Sequence, residues 1–125
     1  MNDKAELQRF AELLMQVVRD HAIAECDALA SGRMGGSIGE RWRRLVANRD
    51  TREVARQLIP DVVDEVLFRL LLALDNGDMP LYWRREDGSH VELYDLGKSE
   101  MAGWLVGSDP DCWRPRYSKQ RWSQA

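Results

Sequence analysis

The chain is poor in the residues that most often carry chemistry. Two histidines, His21 and His90, and two cysteines, Cys26 and Cys112, stand among 125 residues. No H-x-x-x-H, H-x-x-E or C-x-x-C pattern joins them, so neither a zinc site nor a disulfide framework is indicated. His21 falls within a helix face and reads as a semi-buried histidine. His90 lies beside a turn and reads as a solvated strand residue. Cys26 reads as a packing residue. Cys112 sits next to Trp113 and a basic tail, a setting in which nearby cations would lower a thiol pKa. The two thiols are expected reduced, with a pairing between them left open.

Other motifs are missing too. No G-x-S-x-G elbow is present, so nucleophilic serine chemistry has no signature. Residues 31–39, SGRMGGSIG, hold four glycines. A phosphate-binding loop would need a preceding strand and Gly-Lys-Ser/Thr, so this stretch reads as a connection or helix cap. Asp109 and Asp111 lack the further ligand spacing of a calcium loop. The opening MNDKAELQRF has no signal-peptide apolar core, and no run is long enough to span a bilayer. A cytoplasmic protein without membrane association is expected. No catalytic, cofactor-binding or metal-binding residue is nominated, and the balance leans away from an enzyme.

Apolar patterning is plentiful. Residues 58–76, LIPDVVDEVLFRLLLALDN, form the most apolar stretch and end at Asn76-Gly77. Val62, Val63, Val66, Leu67, Leu70, Leu71 and Leu74 recur at spacings of three and four, which predicts a central helix buried on several sides. Pro60 suits a helix start or a kink. Asp61, Asp64 and Glu65 then read as charges favoured by the dipole at that start. Residues 50–59 are helical as well, with Asp50 and Glu53 at capping-box spacing.

Asn2 or Asp3 can cap a first helix running to about Ala30, with Leu7, Phe10, Leu14, Val17, His21, Ala24 and Ala28 along one face. A short basic helix follows over residues 40–48, with Trp42, Leu45 and Val46 on one side. Beyond Gly77 the period becomes two. Leu81, Trp83, Val91 and Leu93 alternate with Tyr82, Arg84, Glu92 and Tyr94 around Asp87-Gly88, a hairpin signal. Ser99 can cap another short helix with Met101, Trp104 and Leu105 facing inward. The tail CWRPRYSKQRW is basic and aromatic and is expected to wrap the surface or add an edge.

These readings give one domain over residues 1–125. The fold class is α+β, mainly α: a small antiparallel helical bundle around a central helix (about 60–76), with a C-terminal β-hairpin (about 80–95) and a short helix. Charge is segregated. Residues 33–60 carry +4 and 61–111 carry −8, while the first 32 residues carry −3 and those from 112 carry +4. Either the segments neutralise one another across the fold, or a patch meets a charged partner.

Arginine and aromatic residues interleave at Arg41-Trp42-Arg43-Arg44, Trp83-Arg84-Arg85 and Trp113-Arg114-Pro115-Arg116-Tyr117. Such pairs serve cation–π packing, protein hot spots or nucleic-acid stacking. The candidate partner-binding residues are Arg41, Trp42, Arg44, Tyr82, Arg84, Glu92, Tyr94, Trp113 and Arg116. A protein partner is the leading reading, in its most concrete form a toxin occluded by a small immunity or inhibitor protein and met through the acidic 61–111 half. Nucleic-acid binding through Arg41, Arg43, Arg44, Arg114, Arg116 and Lys119 is the alternative, and an enzyme of unrecognised type comes third. Homo-oligomerisation is left open, and no cofactor is called for.

Overall fold

The computed structural model describes residues 2–123. α1 spans Asp3–Leu13 and passes through a π-helical stretch, Leu14–Arg19, directly into α2, Asp20–Ala30. Asn2 caps α1, its side-chain oxygen accepting from the Ala5 N–H at 3.2 Å. The expected long first helix is there, but its inward face is not the expected one throughout. Leu7, Phe10 and Leu14 do pack into the core. Within the π-helical stretch and beyond it, Val17, His21 and Ala24 face solvent, and Met15, Arg19 and Ile23 turn inward. A π turn adds one residue to the helical repeat, so every later side chain is rotated by one position. That slip is what carries Arg19 to complete burial.

α3 covers Gly36–Leu45 and α4 covers Arg49–Asp75. α4 is one helix, and Pro60 lies buried inside it. Asn48 caps it, accepting from the Thr51 N–H and Thr51 Oγ1 at 2.9 Å each. Of the two readings of Pro60 the helix start is excluded and the proline stands within one helix, so Asp61, Asp64 and Glu65 lie well inside it, beyond the first turn where the dipole would favour them. Gly77, at φ +74°, closes the helix, with the Asp78 N–H reaching back to the Ala73 carbonyl. This left-handed stop is the one that glycine adopts without penalty.

α4 runs antiparallel to the α1–α2 rod. One core cluster joins Ala11, Leu14 and Met15 with Leu67, Leu71 and Leu74. A second joins Ile23 and Ala30 with Ile59, and Trp42 and Val46 of the α3 end pack onto it. Burying one such aliphatic side chain stabilises by about 1.5–3 kcal/mol.

β1, Tyr82–Arg84, pairs antiparallel with β2, His90–Glu92, placing Tyr82 opposite Glu92 and Arg84 opposite His90. Gly88 at φ +90° completes the tight connection, its N–H bonding the Arg85 carbonyl at 2.9 Å. The second strand is shorter than expected, because Leu93–Leu96 coil into a helical turn, α5, that buries Leu93 and Leu96. Leu81, expected inward, is largely exposed. α6, Met101–Val106, and α7, Trp113–Tyr117, complete the fold. Ser99 does not cap α6. The carboxylate of Asp75, at the end of α4, accepts from the Met101 and Ala102 N–H groups at 3.1 and 2.8 Å. Among the described residues, no helix is long and apolar enough to cross a membrane.

Candidate partner-binding surface

The chain's arginines divide into two sets. One set is built into the fold. Buried Arg19 grips Asp64 with two bonds, Nε to Oδ1 at 2.6 Å and Nη2 to Oδ2 at 3.0 Å. Arg114 of α7 donates to the same carboxylate at 3.0 Å and to the Val106 carbonyl at 2.9 Å. Asp64 thus bridges two guanidinium groups, with Asp20 a second acid 3.8 Å from Arg19, and charge-assisted, two-pronged pairs of this kind are the strong ones.

Downstream of α7 the tail is stitched to the rod. Ser118 Oγ accepts from Arg19 Nη1 at 2.8 Å and donates to Asp20 at 2.5 Å. Arg121 forks onto Asp27 at 2.8 and 2.9 Å and donates to the Arg56 carbonyl at 2.7 Å. That carbonyl is the one Pro60 leaves without an intrahelical donor, four residues back. The tail therefore repairs the proline's gap in α4.

The N-terminal end is fastened in the same way. Arg85 forks onto Asp3 at 2.8 and 3.2 Å. Glu6 accepts from Trp83 Nε1 at 2.9 Å and from the Glu86 N–H at 3.0 Å. The Glu86 amide first, then the Trp83 indole and Arg9, hold the Glu6 carboxyl below its ordinary range. The Arg85 guanidinium holds Asp3 low as well.

The other set projects into water, most of it from α3, the loop before it and the start of α4, with Arg84 on the hairpin and Arg116 on α7 besides. Arg33, Arg41, Arg44, Arg49 and Arg52 are exposed and make no ion pair or side-chain hydrogen bond among the described residues. On the same elements Ile38, Leu45, Val54 and Leu58 are more than half exposed, and the row continues through Val62 and Val66, at 63 % and 65 %. Residues four apart are neighbours on a helix, so Val54, Leu58, Val62 and Val66 make a ridge about 18 Å long. Val62 and Val66 were expected in the core. The interior face of α4 instead runs through Ile59, Val63, Leu67, Leu71 and Leu74. α3 itself is strongly two-sided, yet it buries little beyond Gly39 and part of Trp42.

The nine candidate partner residues fall in three places. Arg41 and Arg44 are solvent-facing on α3, while Trp42 turns into the second cluster. Tyr82, Arg84 and Glu92 come together on the outer side of the hairpin, and Tyr94 follows, partly exposed, in α5. Trp113 is 4 % exposed and packs edge-on to Phe10 at 6.2 Å, so it is a core residue. Arg116 is exposed on α7, its guanidinium 5.0 Å from the Tyr117 ring. Arg114, named for nucleic acid, is buried on Asp64, and Arg43 donates to the Met34 carbonyl at 2.6 Å. Arg49, Arg52 and the aliphatic ridge were missed. Their signal was the four-residue spacing from 54 to 66, which becomes visible only once the helix is known to continue through Pro60.

Neither histidine lies in the buried network, and both are exposed. Both cysteines are free thiols, Cys112 buried and Cys26 half-buried. Burial first, then Asp27 and Glu25, push the Cys26 thiol up, away from the thiolate form. Among the described residues no group of three His, Cys, Asp or Glu side chains is placed to hold a metal ion. No protein-family model matches the chain, and no match is found among curated proteins or among solved structures.

Proposed function

We propose that the chain is a protein-binding module whose docking face runs over α3 and the solvent side of α4. The observation that carries this reading is a coincidence on residues 38–66. Six of the seven large aliphatic side chains more than half exposed among the described residues, and most of the arginines without an acid partner, lie on this stretch, whereas arginines elsewhere are largely tied into the fold. Contiguous exposed apolar rows rimmed by charge mark interaction sites. The partner suited to it presents an apolar groove edged by carboxylates, which differs from the basic partner the acidic half first suggested. The most concrete form is a small cytosolic immunity or inhibitor protein that neutralises a toxin by occluding it.

The aliphatic ridge supports protein over nucleic acid, since single strands are held on aromatic platforms and Trp42 here faces inward. The test is capture of a stoichiometric partner from the cells that encode the chain, with Val62→Asp and Arg41→Glu/Arg44→Glu beside the native protein. Both variants are expected to lose the partner while melting like the native chain, because the altered side chains are exposed. Capture unchanged by either variant overturns the docking face. A salt-sensitive gel shift with nucleic acid, lost in Arg41→Glu/Arg44→Glu, overturns the protein reading. A partner that does not arrest growth when expressed alone rules out the immunity form and leaves binding standing.

A further inference from the structure

A cleft of about 590 Å³ opens at the opposite end of the molecule, between the start of α1, the α5–α6 connection and α7. That is within the usual size of small-molecule sites, roughly 300–1,000 Å³. Its walls are Leu7, Leu96, Trp104, Trp113 and Tyr117. Trp104, expected to face inward with Met101 and Leu105, is instead 37 % exposed.

Three cations from three separate elements meet at its rim: Lys4 from α1, Lys98 from the connection and Arg116 from α7. None is bonded to a carboxylate among the described residues. Of the acids at the rim, Asp3 is already held by Arg85 at 2.8 Å, which leaves Glu100 and Asp111. The free charge at the mouth is therefore positive.

Two further features point to the same place. Lys98 and Ser99 both adopt the left-handed conformation, at φ 53° and 58°. Consecutive non-glycine residues held there are costly, and such strain gathers at ligand clamps. The Tyr117 hydroxyl is buried and has no hydrogen-bond partner. Buried polar groups are paired as a rule, so the orphan hydroxyl is a second departure from the ordinary among the residues around the cleft.

We propose that this cleft binds an amphiphilic organic anion, its aromatic or aliphatic body against Trp104 and Tyr117 and its acid group between Lys4, Lys98 and Arg116. The site is separate from the docking face on α3 and α4 and does not depend on it. Burial pushes the Tyr117 phenol above its ordinary range.

The test is a fluorescence and calorimetric titration of the full chain with 8-anilinonaphthalene-1-sulfonate, an aromatic sulfonate. Uncharged N-phenyl-1-naphthylamine is run in parallel. Saturable binding of one sulfonate per chain is expected, weakened about tenfold by Lys98→Gln or Arg116→Gln. Trp104→Ala is expected to weaken both probes, and Val62→Asp to change neither. All four positions are at least partly exposed, and unchanged thermal melts confirm that the variants fold. Absence of saturable binding overturns the proposal. So does equal binding of the uncharged probe, or binding lost in Val62→Asp and kept in Lys98→Gln, which would place the probe on the α4 ridge.

Discussion

Asp64 is the side chain on which the most packing depends. It faces Arg19 and Arg114 in a largely buried setting. Removing it leaves buried Arg114 without a counter-charge and Arg19 with only the longer contact to Asp20, at 3.8 Å. Asp64→Ala is expected to lower the free energy of unfolding by about 3–5 kcal/mol, measured by urea denaturation. Replacing the whole cluster by Arg19→Met, Asp64→Leu and Arg114→Leu should recover most of that loss, because buried ion pairs stabilise little relative to well-packed apolar groups. Asp3 and Glu6 behave differently, being held low by surface hydrogen bonds. Folded-state pKa values below the unfolded ones give stability that is complete above the ordinary carboxylate range, about pH 4, and fades as the pH falls through the folded values. Protection of the hairpin amides, their exchange relative to the unstructured rate at the same pH, should therefore fall below about pH 4 in the native chain, and depend less on pH in Asp3→Asn/Glu6→Gln.

At the scale of elements, two local irregularities set the architecture, and both explain what the sequence did and did not disclose. The existence of the long helices and the hairpin was legible, because three-and-four spacing and Asp87-Gly88 are local signals. The inward face of α2 was not. A π turn has no motif of its own, and its one-residue slip shows only when Arg19 meets Asp64, 45 residues away. The role of Asp64 was hidden for the same reason: a carboxylate near a proline resembles a helix-start charge until its distant partners are known. Pro60 is the second irregularity. It leaves the Arg56 carbonyl to Arg121, a long-range repair that no spacing announces. A double-mutant cycle of Pro60→Ala with Arg121→Gln reads this directly. Restoring the N–H gives Arg56 its own donor, so Arg121→Gln should cost less in the Pro60→Ala background, with a coupling of about 0.5–3 kcal/mol. Additive losses in the urea melts would show that the tail does not serve the proline gap.

For the whole molecule, fold class followed from composition and period: helices, then a short hairpin, then short helices closing the core. The candidate site followed less well, because arginine–aromatic adjacency in sequence does not separate packing from binding. Trp113-Arg114 lies inside the fold, and Arg41 and Arg44 lie outside, although the two stretches read alike. The deciding quantity is whether the fold supplies a carboxylate. Asp64 and Asp27 serve Arg19, Arg114 and Arg121, and the start of α4 and α3 have no such acid bonded to Arg41, Arg44 or Arg52. The same division separates the anion cleft, with its unpaired Lys4 and Lys98, from the neighbouring Asp3–Arg85 latch.

This division of the arginines is the central claim, and urea denaturation of six single Arg→Gln variants tests it without knowledge of any partner. At Arg19, Arg114 and Arg121 each substitution should lower the unfolding free energy by at least about 1.5 kcal/mol, whereas at Arg41, Arg44 and Arg52 the change should stay within about 0.5 kcal/mol. Equal losses in the two sets, or larger losses on α3 and α4, would contradict the account.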